Sequence, residues 1–464
     1  MSAISIDPSK TLHEVPSIRG AMTEWMFSGE EDPGKSVDPR GVEYSYGGLL
    51  NLRKEDIELA ARTGLTTIRC AVSHTSLEDK DTPGKWIEAG FERIGELFDW
   101  YGQCGINGIL DLHNALGREG GGDPRLWQQK EFQDRFVNVW KELARRFKDH
   151  PQVIAFEPLN EPEPRHTDDF AERYRVWNDL AKRTTDGIRE IDAKTPIIIN
   201  CIEYANPSAF AGLEPTGDEN TIYSFHWYAP SEFHCQKRPW MKDKGTYHYP
   251  DEYHGKWWDR NTIHEAWKPA LDFATVHNAR LFCGEFGCVS DVPEMEDMCW
   301  LLDIVSLFDQ LGIDWTYYLY MFRTVEPYWT KEGHFDCNMF VRDATSGELR
   351  TFDRKVSLLS DLMKLRGTAL DHDQPDDGYL VVYAVRLPDG NLRIYASNKS
   401  RTDAKSLALA LAGGPWAPQV EAQRMAVGTG GYVEAPSMTL KEGRLDLRLE
   451  PLTILHLTVQ AQGN

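Results

Sequence analysis

Between positions 18 and 318 of this 464-residue chain, short β-branched and apolar runs alternate with segments of helical period, and no tight hairpin turn joins one run to the next. The runs at 18–22, 66–72, 108–113, 153–157, 196–201, 221–226, 279–287 and 313–318 read as strands. Segments at 49–64, 86–101, 131–150, 168–191, 263–277 and 295–311 read as helices. The clearest is the fourth-strand neighbour, where Phe132, Phe136, Trp140, Leu143, Ala144 and Phe147 mark one stripe and Lys and Arg gather toward the C-terminal end. Alternation without hairpins implies an α/β chain with a parallel sheet. Eight such repeats predict a closed (β/α)8 barrel, the TIM barrel, rather than an open sheet. No Gly-x-Gly-x-x-Gly follows an early strand, which removes the dinucleotide argument for the open alternative.

Past position 371 the pattern changes. Runs at 379–386 and 391–396 flank Leu387-Pro388-Asp389-Gly390, a hairpin signal, and short strands continue at 445–449 and 453–458. The expectation is two domains: a barrel over 1–370 and a small antiparallel β-sandwich over 371–464, packed on the barrel and carrying no chemistry of its own.

Charge excludes one class of partner. A formal net charge of −21 opposes phosphate binding, so nucleic acid is not expected. No run of about 20 apolar residues is present to span a membrane. The first residues have neither a basic start nor an apolar core, so a cytoplasmic protein is expected, or a secreted one if a leader has been removed. Eight cysteines without a C-x-x-C pair read as buried thiols. Asn398-Lys399-Ser400 fits a glycosylation triplet. Residues 229–261 are aromatic, charged and aperiodic, the composition of a lid or binding loop.

In a barrel, residues at the C-terminal ends of the strands converge on one open face. Collecting the polar and aromatic residues there gives Arg69 after the second strand, His113 and Asn114 after the third, and Asn160 and Glu161 after the fourth. His226 and Tyr228 follow the sixth strand, Glu285 the seventh, and Trp315 lies in the eighth. Each alone has an ordinary structural reading, as a helix cap, a satisfied histidine or a core ring. Together they describe paired carboxylate chemistry on an acetal. One glutamate attacks the anomeric carbon, and the other protonates the departing oxygen and then activates water. Arg69, Tyr228 and His226 are placed to keep the attacking group ionised, and Asn160 to hydrogen-bond a sugar hydroxyl.

Leu159-Asn160-Glu161-Pro162 and Gly284-Glu285-Phe286-Gly287 resemble the signature strand ends of glycoside hydrolase family 5, the cellulase-like retaining enzymes. Ile68-Arg69, Asp111-Leu112-His113-Asn114, His226-Trp227-Tyr228 and Trp315 extend the likeness in the family's order, over roughly 15–368. The resemblance implies Glu161 as acid/base, Glu285 as nucleophile and Trp315 as a platform beneath the sugar. It implies a carbohydrate substrate, either a β-glucan, oligosaccharide or β-glucoside, or alternatively a mannoside or glycolipid-type glucoside. No cofactor and no metal are expected. A metal hydrolase would need H-x-H after the first strand or H-E-x-x-H on a helix, and neither is present. A carbohydrate-binding protein without activity would tolerate loss of either glutamate, and both are present. The sugar, the linkage, endo or exo action and the oligomeric state are not written in these motifs.

Overall fold

The computed structural model describes residues 3–23, 35–37, 43–45, 52–118, 123–238, 240–324, 337–343, 346–375 and 377–462. Eight parallel strands close into a barrel in chain order. They are β1 (Arg19–Met22), β2 (Thr67–Ser73), β3 (Asn107–Asn114), β4 (Val153–Glu157), β5 (Ile197–Asn200), β6 (Thr221–Trp227), β7 (Arg280–Phe286) and β8 (Asp314–Tyr317). Around them run α1 (Lys54–Thr63), α2 (Glu88–Gln103), α3 (Lys130–Phe147), α4 (Phe170–Arg189), α5 (Arg260–Ala266), α6 (Lys268–His277), α7 (Glu294–Leu311) and α8 (Asp353–Lys364). The (β/α)8 barrel expected from the alternation is the observed fold.

Strand alternation sorts each residue inward or outward. Ile109, Ala155, Ile198, Ile222 and Phe282 form an apolar floor inside the barrel. Two residues further along their strands come Asp111, Glu157, Asn200 and Ser224, all buried and polar. The barrel interior therefore turns from apolar to polar as it rises toward the strands' C-terminal ends. Outside, α3 buries Phe136, Val139, Trp140, Leu143, Ala144 and Phe147. Each large side chain so removed from water contributes about 1.5–3 kcal/mol. The Trp140 indole N–H also donates to the Pro158 carbonyl at 2.9 Å, which anchors the segment leading into Asn160 and Glu161.

One expected helix is two. The segment at 263–277 divides into α5 and α6 at Trp267, because Pro269 enters the first turn of α6 without an N–H to continue α5. Residues 229–261 hold a helical turn, Ser231–His234, and a small hairpin of Asp251–Tyr253 with Lys256–Trp258. The distal half is pinned against α7 and the sandwich. Tyr249 donates to Asp303 at 2.6 Å, His248 Nδ1 lies 2.9 Å from Glu296, and Arg401 reaches Asp251 at 3.1 Å. That half is tethered by these contacts and is not a free lid.

The sandwich draws on both ends of the chain. Ile4–Ile6 pairs in parallel with Leu409–Leu411, and Thr11–Glu14 pairs with Thr368–Leu370. The division at residue 370 expected from composition therefore splits a shared sheet, since residues 4–14 and 368–370 belong with the C-terminal strands. Those two strands are too short to show a period in the sequence. The sandwich explains why α7 is buried on all sides. Asp303 meets Lys399 at 2.7 Å, and Asp309 is held by Arg19 and Tyr383. All eight cysteines are free thiols, seven of them buried. Asn398 is fully buried, and its amide donates to the carbonyls of Asp403, Leu449 and Glu450, so the glycosylation triplet is closed by the fold. Among the described residues no helix is long and apolar enough to cross a membrane.

Candidate active site

A cation lies at the centre. Arg69 sits mid-way along β2, not past its end, and its side chain is fully buried inside the barrel. Its Nε and Nη2 grip both oxygens of Glu157 at 2.7 and 2.9 Å, the fork geometry that suits guanidinium to carboxylate. Nη1 donates to Glu285 Oε1 at 2.8 Å, and Nη2 also meets Asn160 Oδ1 at 2.8 Å and Asp111 Oδ2 at 3.1 Å. Asn200 donates to Glu157 Oε1 at 2.6 Å, which completes the support of that carboxylate.

Glu285 reaches the cleft through a defect in the sheet. The register of β6 against β7 runs Phe225 to Cys283, then His226 to Glu285, leaving Gly284 as the extra residue of a bulge. Without it Glu285 would point outward with Cys283. Gly284 is required there for a second reason, because a Cβ would come within 2.7 Å of His226 Nε2. Tyr228 then donates to Glu285 Oε2 at 3.0 Å. Glu161 has φ +43, a left-handed conformation uncommon for a residue with a side chain and found where geometry is imposed by a site. Its Oε1 lies 2.7 Å from His226 Nδ1, and the same nitrogen is 3.7 Å from Glu285 Oε2. One oxygen of each glutamate and a ring nitrogen of His226 lie within 4.8 Å of one another. Among the described residues these three converge closely enough to hold a metal ion, although two of the donor atoms already face each other across a hydrogen bond.

Burial pushes the Glu161 carboxyl up to about 7, with Arg118 and Arg69 opposing and Asp111 reinforcing. Burial also takes His226 down to about 4 and His113 down to about 3, so both rings are neutral near pH 7. His113 Nδ1 donates to Asp111 Oδ2 at 2.8 Å, which leaves Nε2 to accept from the Asn160 amide at 3.1 Å. The Tyr228 phenol is pushed well above its ordinary value by burial and then by Glu285, so it stays a donor. The site thus holds two carboxyls, Glu161 and Asp111, that burial raises to about 7, and a third, Glu285, gripped at both oxygens by donors.

The family model of cellulases, described as glycosyl hydrolase family 5, matches residues 31–322. The chain belongs to glycosyl hydrolase family 5. It is 28% identical over 295 residues to endoglucanase C of Acetivibrio thermocellus, covering 57% of this chain and 84% of that one. It is 28% identical over 279 residues to cellodextrinase A of Ruminococcus flavefaciens, covering 58% and 79%. A solved hyperthermophilic endo-β-1,4-glucanase superposes with a TM-score of 0.54 at 19% identity, over 75% of this chain and 96% of that one, and shares the fold. This family 5 protein is a glycosidase, and carbohydrate is its substrate.

Of the residues expected at the site of this hydrolase, the structure brings together Arg69, His113, Asn160, Glu161, His226, Tyr228 and Glu285. Asn114 ends β3, half-buried, in register with Ser73. Trp315 is a correction. It is fully buried and faces the helix layer, with its ring edge-on to Phe286 at 5.6 Å and the Arg19 guanidinium 5.8 Å from its centroid. Alternation along β8 sends Trp315 and Tyr317 outward and Thr316 and Tyr318 inward. Tyr318 is the half-buried ring near the cleft, edge-on to Tyr228 with centroids 6.3 Å apart.

Four polar residues had no role in the sequence reading. Asp111 and Glu157 carry a signal, because a charge inside an apolar parallel strand has no water to face; counting back two from His113 finds the first. Asn200 ends its strand in the same way. Arg118 has no such mark. Its guanidinium donates to the backbone carbonyls of Glu161 and of His113, bringing a positive charge near the Glu161 carboxyl.

Proposed function

We propose that this chain cleaves β-linked glucosides of the β-glucan oligosaccharide type with net retention, using Glu285 as nucleophile and Glu161 as acid/base. Glu285 attacks the anomeric carbon as Glu161 gives its proton to the departing oxygen. The bond to the leaving group breaks and a glycosyl ester on Glu285 forms. Glu161, now a carboxylate, takes a proton from water, and that water attacks the same carbon to release Glu285. Arg69 and Tyr228 bind the two oxygens of Glu285 and fix its lone pair toward the reacting carbon. The Asn160 amide spends one hydrogen on His113 and has a second for a hydroxyl beside that carbon.

The observation that carries the reading is the approach of Glu161 and Glu285 to within 4.8 Å between facing oxygens. Carboxyl groups about 5–5.5 Å apart leave no room for a water between nucleophile and sugar, whereas inverting pairs stand about 6.5–9.5 Å apart. The relatives named endoglucanase and cellodextrinase support glucose-based substrates. Proton NMR of the products released from a soluble cello-oligosaccharide tests the reading. The β-anomer is expected first, and α-anomer first, or no release, would overturn it.

A further inference from the structure

The loop after β6 carries a buried histidine that the chemistry above does not use. His234 ends the turn Ser231–His234 and is 3% exposed. Its imidazole lies over the Tyr228 phenol, with centroids 5.3 Å apart and planes 28° apart. Nδ1 faces the Pro230 carbonyl at 3.1 Å and so carries the hydrogen, and Nε2 faces the Cys235 thiol at 2.8 Å. Burial takes His234 down to about 4, opposed by the Pro230 carbonyl and by Glu232, so the ring is a neutral plate near pH 7. The His234 carbonyl accepts from the Val289 amide at 3.0 Å, tying this turn to the segment after the nucleophile strand. Tyr318 meets the phenol edge-on, with planes at 83°.

We propose that His234 is a positioning residue for the nucleophile: stacked on Tyr228, it aims the phenol hydroxyl at Glu285 and holds the carboxylate in line for attack. The proposal rests on Glu285 acting as nucleophile. A phenol on a loop beyond a strand end turns about two side-chain bonds, and a flat ring on its face restricts both. Glu285 is also faced by Arg69 from β2, His226 from β6 and Glu161 beyond β4; among these described polar neighbours Tyr228 is the one whose ring stacks on His234. A misplacement of about 1 Å at a reacting group costs up to ~10²-fold in rate without a matching change in affinity.

The test is a cycle of His234→Ala, Tyr228→Phe and their double variant, with His234→Phe as the rescue. Two quantities are read: steady-state hydrolysis of a soluble cello-oligosaccharide, and the rate of covalent labelling of Glu285 by a 2-deoxy-2-fluoro-β-glucoside. His234→Ala is expected to lower kcat and the labelling rate about tenfold with KM within about twofold. His234→Phe keeps a flat ring and is expected to restore both to within about threefold. The double variant should be no slower than Tyr228→Phe alone, because both changes act through one hydroxyl. Additive losses in the double variant, a loss carried by KM, failure of His234→Phe to rescue, or an unchanged His234→Ala enzyme would each overturn the proposal. If His234→Ala does not fold, His234→Leu fills the same volume without a flat face and makes the same comparison. Wild-type enzyme that neither turns over nor labels would overturn the nucleophile assignment beneath it; turnover with additive losses overturns the role of His234 alone.

Discussion

Arg69 Nη1 donates to Glu285 Oε1 across 2.8 Å, although 216 positions separate the two residues in the chain. The same guanidinium serves Glu157 and Asp111, so one fully buried cation balances carboxylates from three other strands. Such a cluster is held by mutual compensation, and removing different members has different consequences.

Glu285→Gln removes one negative charge and leaves Arg69 paired with Glu157 and Asp111. Turnover is expected to fall at least ~10³-fold while the melting temperature stays within a few degrees. Arg69→Met strands three buried carboxylates and is expected to cost about 3–5 kcal/mol of stability. Activity assays paired with thermal melts check both. A Glu285→Gln enzyme with ordinary activity would sink the assignment.

As the proposed acid, the Glu161 carboxyl, pushed up to about 7, has to be protonated to expel an alcohol, so kcat/KM should fall as pH rises through about 7. Arg118 draws that value down, since a nearby cation favours the carboxylate. Arg118→Met removes the cation, raises the Glu161 value, and should move the basic limb of the pH profile up by about one unit. A limb that stays in place, or moves down, would contradict the assignment of the acid.

Trp315 and Tyr318 separate core from cleft. Trp315→Ala empties a fully buried site and is expected to cost about 3–5 kcal/mol of stability, with KM of the folded enzyme within about twofold of wild type. Tyr318→Ala should raise KM while costing less stability. Chemical denaturation and steady-state kinetics on the two variants decide between them. A KM effect confined to Trp315→Ala would reverse the placement.

A chain ending at residue 370 loses Lys399 from Asp303 and Tyr383 from Asp309, leaves Ile4–Ile6 without its partner strand, and strips Thr368–Leu370 of the strand that follows it in the sheet. Asp303 without its lysine, and a largely apolar α7 stripped of its cover, are expected to leave such a chain insoluble or unfolded, as read by circular dichroism and gel filtration. A soluble, active fragment would show the barrel to be independent of the sandwich.

Much of this was legible in the residues. The period of the apolar runs identified the barrel, and the placement of Glu161 and Glu285 at strand ends pointed to the pair proposed above, because both follow from local pattern. What stayed hidden depended on register and on distant partners. The bulge at Gly284 turns Glu285 inward, and a one-residue slip cannot be read from composition. Trp315 was misplaced for the same reason: strand parity is set by where the neighbouring strands pair, so the ring lies among the helices and Tyr318 takes the inner position. Residues 4–14 fell within the expected barrel domain, yet they pair with strands at 409–411 and 368–370.

By itself the sequence determined the architecture and the chemical kinds at its mouth, since alternation of apolar runs and helices leaves few ways to bury both. Only the tertiary structure decided which way each side chain faces, which carboxyl is driven up and which is gripped by donors. Those properties come from burial and from charges brought close by folding: Arg118 against Glu161, and Arg69 against Glu285, are separated along the chain and meet only when the barrel closes.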